Sequence, residues 1–503
     1  MKILVYSASS LCNPQFGIMM EHAIEYSKNG YEVAFCHCNG VIKVCSFNCQ
    51  MNHAICNLCK LTFTAGLKNL PSSVKLVELT SQKGNDIILN QSFKSIEEIK
   101  KFQYRGVEIG YAVMSVYITK TRNPNPKITD TFLNCISMML KEAARLVDAA
   151  DYMIQAEKPD YVMFFNGRFF DTKPFHDLSV KYCLNYIVAE NVGGVRADEE
   201  YRMVTFENKI PHDCKVIFDN CLKSWENSIR SDEEKTKMGA DFYERRRSGK
   251  RAGDYAYTAS QIKGKLPDSF NPKKKNVVIF SSSEDEYSAV TAEIDNYFLF
   301  DSQYEGIKYL SENIGDDNYH FIVRIHPNMR GLDVDYHKDL YKLRNLNNVT
   351  VIAPEETVSS YALMDNAYNI VVFGSTIGAE SIYWGKPVVL LGFAEYYSWG
   401  VCSIPHNRNQ VLEMVKNPTI YPGAKDIAIK YGYYFLENSL AKRAQYITIT
   451  PQKKNILGRN VFVFDYLKIL GSSVLYKIIH IVYTYFLVKI YRNKIAYSDK
   501  IIN

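Results

Sequence analysis

The sequence predicts an α/β fold of two parallel-sheet halves in tandem, and three observations carry that prediction. Short apolar strands alternate with stretches of helical periodicity along most of the chain. Several of these strands end in small or polar residues, where open α/β sheets present their ligand-binding loops. A basic segment poor in apolar residues interrupts the alternation once, in a chain whose 503 residues exceed one ordinary core.

Taken in order, "KILVYSAS" reads as a buried strand and "NPQFGIMMEHAIEYSKNG" as a helix closed by Gly30. "YEVAFCHC" is the next strand, so the chain opens as a Rossmann-like βαβ unit. It lacks the G-x-G-x-x-G fingerprint, and nothing favours NAD. A long helix is predicted from Thr129 to Lys158, ended by Pro159 before the strand "DYVMFFNGR". "LNYIVAEN" repeats that strand design. The interruption lies between about Glu244 and Lys275 and is taken as an interdomain segment. A second alternation follows through "NVVIFSSS", "YHFIVRIHPN", "NVTVIAP", "NIVVFGST" and "KPVVLLG". The expected domains are residues 1–250, 276–440 and a helical tail over 441–503, with a cleft between the two Rossmann-like halves.

Composition narrows the partners. A net charge of +6 spread over this length makes nucleic acid a poor partner and suits an anionic small molecule or a membrane surface better. "MKILVYSASS" is strand-like rather than a leader, so a cytoplasmic location is expected. Three loops follow apolar strands in the second half: "FSSSEDEYS", "RIHPN" and "FGSTIGAES". Their convergence on one rim would gather Ser282, Ser283, Arg324, His326, Ser375 and Thr376. Hydroxyls, two cations and the N–H groups of a starting helix together make a phosphate site.

"RIHPN" followed by "GSTIGAESIYWGKPVV" resembles the second halves of bacterial capsule and surface polysaccharide glycosyltransferases of the GT-B fold, related to Kdo transferases. Bacterial sialyltransferases have a comparable His-Pro and Ser-Ser or Ser-Thr pair that holds the phosphate of a CMP-activated sugar. The resemblance assigns His326, Ser375 and Thr376 to donor phosphate, Arg324 as charge partner, and Glu380 to a ribose or sugar hydroxyl. "FFNGRFFDTKPF" and "YIVAENVGGVRADEEYRMVTFENKIPHD" resemble the first half of the same family, with Asn191 where an Arg is expected. The resemblance implies Asn166 and Arg168 on the acceptor side. It also implies a carboxylate base, Glu190 first, then Asp171, then Glu284 or Asp285, and no cofactor for transfer.

The implied function is glycosyl transfer from a nucleotide sugar, with CMP-, UDP- and GDP-linked donors all open, to a glycan or lipid-linked glycan of a growing surface polysaccharide; the His-Pro and Ser-Thr resemblance points to the CMP-linked one. A CDP-glycerol or CDP-ribitol polyol-phosphate transferase and an inactive glycan-binding subunit are the alternatives. Six cysteines fall between Cys36 and Cys59. Cys38, Cys45, Cys56 and Cys59 could hold zinc or an iron–sulfur cluster, or remain plain thiols. "SVLYKIIHIVYTYFLVKIYRNK" in the tail has the basic ends and aromatic belt of a helix peripheral to the membrane's inner face.

Overall fold

A computed structural model describes residues 1–11, 15–49, 51, 53–80, 92–192, 202–250, 252, 257–437, 441–447, 451–456 and 459–464. Among them the two main sheets are built from β1 (Lys2–Ser7), β2 (Glu32–His37), β3 (Val74–Glu78), β4 (Tyr161–Phe165), β5 (Asn185–Val192), β6 (Arg202–Glu207), β7 (Lys275–Phe280), β8 (Tyr319–Arg324), β9 (Val349–Ile352), β10 (Asn369–Val372), β11 (Val388–Leu390) and β12 (Lys442–Arg443). The chain divides into two compact units. The first comprises Met1–Thr121, Asn125–Pro211 and the chain from Ala441; the second comprises Arg122–Pro124 and His212–Leu440.

In the first unit the sheet runs β3-β2-β1-β4-β5-β6-β12. The five strands β1 to β5 are parallel, while β6 and β12 pair antiparallel at one edge. The expected long helix is Asp130–Glu157. Thr129 caps it by accepting the Phe132 N–H, and Lys158 ends it in the left-handed conformation at φ 45°. After leaving the second unit the chain docks again on helix Gln15–Lys28. There the buried Glu21 carboxylate accepts the N–H groups of Gln445, Tyr446 and Ile447.

All five strands of the second unit are parallel, in the order β9-β8-β7-β10-β11. Counted from β7 this is 3-2-1-4-5, the Rossmann order. Both faces are covered, so the middles of the strands are apolar. Val277, Ile279, Phe321 and Val371 face one core, and Val278, Phe280, Ile322 and Val372 the other.

The α/β class and the two Rossmann-like halves are as the sequence predicts. The stretch read as an interdomain segment is instead part of the second unit, and helix Asp232–Arg247 runs into its start. The described residues after 440 form strands rather than a helix: β12 and a hairpin of Pro451–Ile456 with Arg459–Phe464. The proposed membrane-contacting stretch lies outside the described residues. Among the described residues no helix is long and apolar enough to cross a membrane.

Candidate functional site

The strand order of the second unit reverses between β7 and β10, and the carboxyl ends of those strands open a crevice. A cavity of about 500 Å³, counting its open mouth, occupies that position. Ser281 reaches it from the end of β7, and Arg324 and His326 come from β8. Ser375, Thr376 and Glu380 come from the turn and helix after β10.

Two glycines make the β10 turn possible. Gly374 has φ +138°, and a Cβ there would lie 2.4 Å from the Phe393 carbonyl oxygen. At Gly378 a Cβ would lie 2.0 Å from the Tyr396 hydroxyl, which donates to the Ser375 carbonyl at 2.8 Å. The helix that follows, Ile377–Tyr383, has seven residues, and the Thr376 side chain does not cap it. Its dipole is short, so the loop's contribution rests on hydroxyls and individual N–H groups.

Two cations expected from the sequence are changed by their surroundings. Arg324 is buried, and its guanidinium donates to the carbonyls of Ala353, at 2.5 Å, and Glu356, at 3.1 Å. It braces the loop after β9, and burial lowers its pKa. Burial likewise holds the His326 imidazole at about 4, so it is neutral near pH 7. Its Nδ1 accepts the Asn328 N–H at 3.2 Å, which leaves the proton on Nε2. Ser281 Oγ accepts the His326 N–H at 3.0 Å, and the Tyr257 ring meets the imidazole edge-on at 5.1 Å.

Glu380 is buried with both oxygens engaged. Arg246 Nε donates to one at 2.9 Å, and the Tyr361 hydroxyl donates to the other. Its carboxylate therefore serves Arg246 rather than standing ready for a ribose hydroxyl. Arg246 Nη2 also donates to Thr376 Oγ1 at 3.2 Å. Burial alone would weaken this cation, and the Glu380 charge more than offsets it, so the guanidinium pKa stands above its ordinary value.

Ser282 and Ser283 do not line the cavity. The Ser282 backbone is latched to the Gln303 side chain at 2.9 Å in both directions. Ser283 Oγ donates to Asp285, whose carboxylate also takes the Arg122 Nε–H and the Tyr336 hydroxyl, both at 2.9 Å. Asp285 is thus tied into an ion pair. Glu284 accepts the Gln303 N–H, and burial pushes it up to about 7. Sequence reasoning missed Arg246, Tyr257, Thr258, Gln261 and Tyr361, which also line the cavity. Four of these lie in the stretch read as a linker.

In the first unit the ends of β4 and β5 bring together Asn166, Arg168 and Glu190. Asn166, at φ 60°, donates its amide to Glu190 at 2.7 Å. Burial raises the Glu190 pKa, the Asn166 hydrogen bond opposing it, and lowers that of Arg168. Arg168 Nε is buried without a hydrogen-bond partner. Asp171 is only 2% exposed and accepts both the N–H and the hydroxyl of Ser46, so it braces that loop and is not placed to act as a base. Cys38, Cys45, Cys56 and Cys59 line one hollow. Yet among the described residues no group of three or more His, Cys, Asp or Glu is placed to hold a metal ion. Burial pushes the Cys38 thiol up to about 11 and Cys45 well above its ordinary value. Of the three readings of these cysteines, the zinc and the iron–sulfur centre are not supported among the described residues.

Residues 235–421 match the model of the family described as capsule polysaccharide biosynthesis protein. All the residues lining the cavity fall within this matched stretch. Among curated proteins no sequence matches the chain. Similar solved structures include the Thermosulfurimonas dismutans KpsC β-Kdo 2,4 transferase, 14% identical over 63% of this chain and 88% of its own, with a TM-score of 0.35. The β-Kdo 2,7 transferase of the same KpsC is 16% identical over 64% and 87%, with a TM-score of 0.31. The Methanocaldococcus jannaschii UDP-GlcNAc 2-epimerase is 12% identical over 87% and 99%, with a TM-score of 0.26.

Proposed function

We propose that the chain is a glycosyltransferase that moves a sugar from a nucleotide-activated donor onto a growing capsular or other surface polysaccharide. One observation carries this reading. The stretch that matches the capsule family model gathers a neutral histidine donor, two hydroxyls and buried arginines around a cavity at the switch point of a Rossmann-order sheet. An activated phosphate needs such an array of fixed donors when it leaves. The donor nucleotide is assigned to this cavity, with His326, Ser375 and Thr376 on its phosphate; CMP, UDP and GDP are the candidate nucleotides. The acceptor is assigned to Asn166 and Arg168 of the first unit, with Glu190 as the base that takes the acceptor hydroxyl's proton.

Incubation with a panel of CMP-, UDP- and GDP-sugars and a capsular oligosaccharide tests this reading. Transfer of sugar with release of the nucleotide is the expected result. Transfer of a polyol phosphate from CDP-glycerol would move the protein to that enzyme class. Binding without turnover would leave an assembly subunit. His326→Ala should lower kcat/KM by about tenfold or more, the loss of a hydrogen bond to a charged group. An unchanged rate in that variant would place the phosphate elsewhere.

A further inference from the structure

The sequence supplies two cations for a departing phosphate, and the free protein holds neither ready: burial keeps His326 neutral until an anion arrives, and Arg324 is fastened to backbone carbonyls. Among the described residues lining the cavity, the other cation is Arg246. We propose that Arg246 is the catalytic residue that takes up the charge on the leaving phosphate, held in place by Glu380 and by a glycine–glycine helix crossing. This rests on the glycosyl-transfer reading above.

Three features position it. Helix Asp232–Arg247 packs backbone to backbone on helix Ala424–Glu437 where Gly239 meets Gly432. A Cβ on Gly239 would lie 2.2 Å from the Ile429 carbonyl oxygen, and one on Gly432 would lie 2.3 Å from that of Gly239. Arg246 stands about two turns beyond Gly239 on the same helix face. Between them Tyr243 donates its hydroxyl to the Ala428 carbonyl at 2.6 Å and stacks on Tyr383 at 4.2 Å. The crossing therefore fixes this helix on Ala424–Glu437, and the Tyr243–Tyr383 stack ties it to the helix that carries Glu380. The Glu380 carboxylate then holds Nε, itself fixed by the Tyr361 hydroxyl, and Nη2 reaches the Thr376 hydroxyl oxygen. Because Thr376 accepts from Arg246, its own hydroxyl proton is directed to another acceptor. The guanidinium and the Thr376 hydroxyl act as one unit.

In the step this serves, the bond from the anomeric carbon to the donor's phosphate oxygen breaks and its electron pair stays on that oxygen. An acceptor oxygen forms the new bond to the carbon and gives its proton to the carboxylate base. Arg246 meets the extra negative charge on the phosphate. Its pairing with Glu380 fixes the orientation before substrate arrives, so little reorganisation is needed during reaction.

The test compares binding of CMP, UDP and GDP with that of cytidine, uridine and guanosine by calorimetry, in the full chain and in Arg246→Gln. Removing Arg246 alone strands a buried carboxylate, so the charge-balanced double variant Arg246→Gln/Glu380→Gln is measured alongside, with circular dichroism as the check on folding. For whichever nucleotide binds the wild type, affinity should fall by about tenfold or more in both variants, while the matching nucleoside binds unchanged. Arg246→Lys should recover part of the loss. Equal weakening of nucleotide and nucleoside, or no weakening of either, would overturn the proposal while leaving the glycosyltransferase reading intact. A wild type that binds none of the nucleotides and transfers no sugar would overturn that reading and this proposal together.

Discussion

His326 carries no charge near pH 7 in the free protein, so the proposed phosphate contact would make proton uptake part of binding. In the free protein burial holds the imidazole at about 4, against 6.5 for an ordinary histidine. The folded chain therefore disfavours protonation, and this histidine's share of stability is lost as pH falls from about 6.5 through 4. A phosphate beside Nε2 reverses the balance, because a nearby negative charge favours the imidazolium. Nucleotide affinity should then rise as pH falls from 8 towards 5.5, relative to His326→Ala, which lacks the titrating group and cancels the ligand's own titration. The same variant should flatten the acid limb of thermal stability in the free protein. Parallel pH profiles for wild type and variant, with and without nucleotide, would assign the proton to another group. Glu190 works in the opposite sense. Burial raises its pKa, so a base role requires transfer to quicken as pH rises.

The turn "GSTIGAES" shows at the scale of an element what a local pattern can and cannot reveal. Its role at a strand end is legible because a short apolar run followed by small hydroxyl residues is a local signal. The reason for its second glycine is not, since the Tyr396 hydroxyl that needs the space comes from a distant loop. Gly378→Ala should therefore cost about 1–3 kcal/mol in denaturant unfolding through overpacking, and should weaken nucleotide binding by displacing Ser375. Ordinary stability in Gly378→Ala would show that the turn yields easily. Helix Asp232–Arg247 teaches the converse. Its last residues, from Glu244, fall in the stretch that reads as interdomain because apolar residues are few, although "SDEE" at the helix start forms a capping box in which Ser231 and Glu234 satisfy each other's backbone. The spacing Gly239, Phe242, Tyr243, Arg246 marks the buried face, and it was the available clue that one arginine of "ERRR" turns inward. Ser282 and Ser283 show the limit again. They follow the right strand, but only Ser281 lies at the depth of the cavity, a distinction one residue along the chain that periodicity does not resolve.

For the molecule as a whole, the division into two units separates the assigned chemistry along the chain. Residues 212–440 contain the entire lining of the cavity proposed for the nucleotide and both apolar cores of their sheet. Glu190, the assigned base, belongs to the other unit. The fragment 212–440 should therefore bind nucleotide yet transfer no sugar. Its stability should fall for a nameable reason. Arg122, which precedes the main run of the second unit in sequence, pairs with Asp285 and donates to Ser283, and the fragment lacks it. Asp285 would keep only hydroxyl donors for a carboxylate that is now half-buried and unpaired, so extending the cut to include residues 122–124 cannot restore it unless the intervening unit is retained. Replacing Asp285 by Asn in the fragment removes that stranded charge and should recover stability there, while the same change in the full chain breaks an ion pair and should destabilise it. Chemical denaturation of the four proteins reads this opposition in sign directly. The same sign in both backgrounds would mean that Arg122 is not what holds Asp285, and sugar transfer by the fragment would mean that the base lies within residues 212–440.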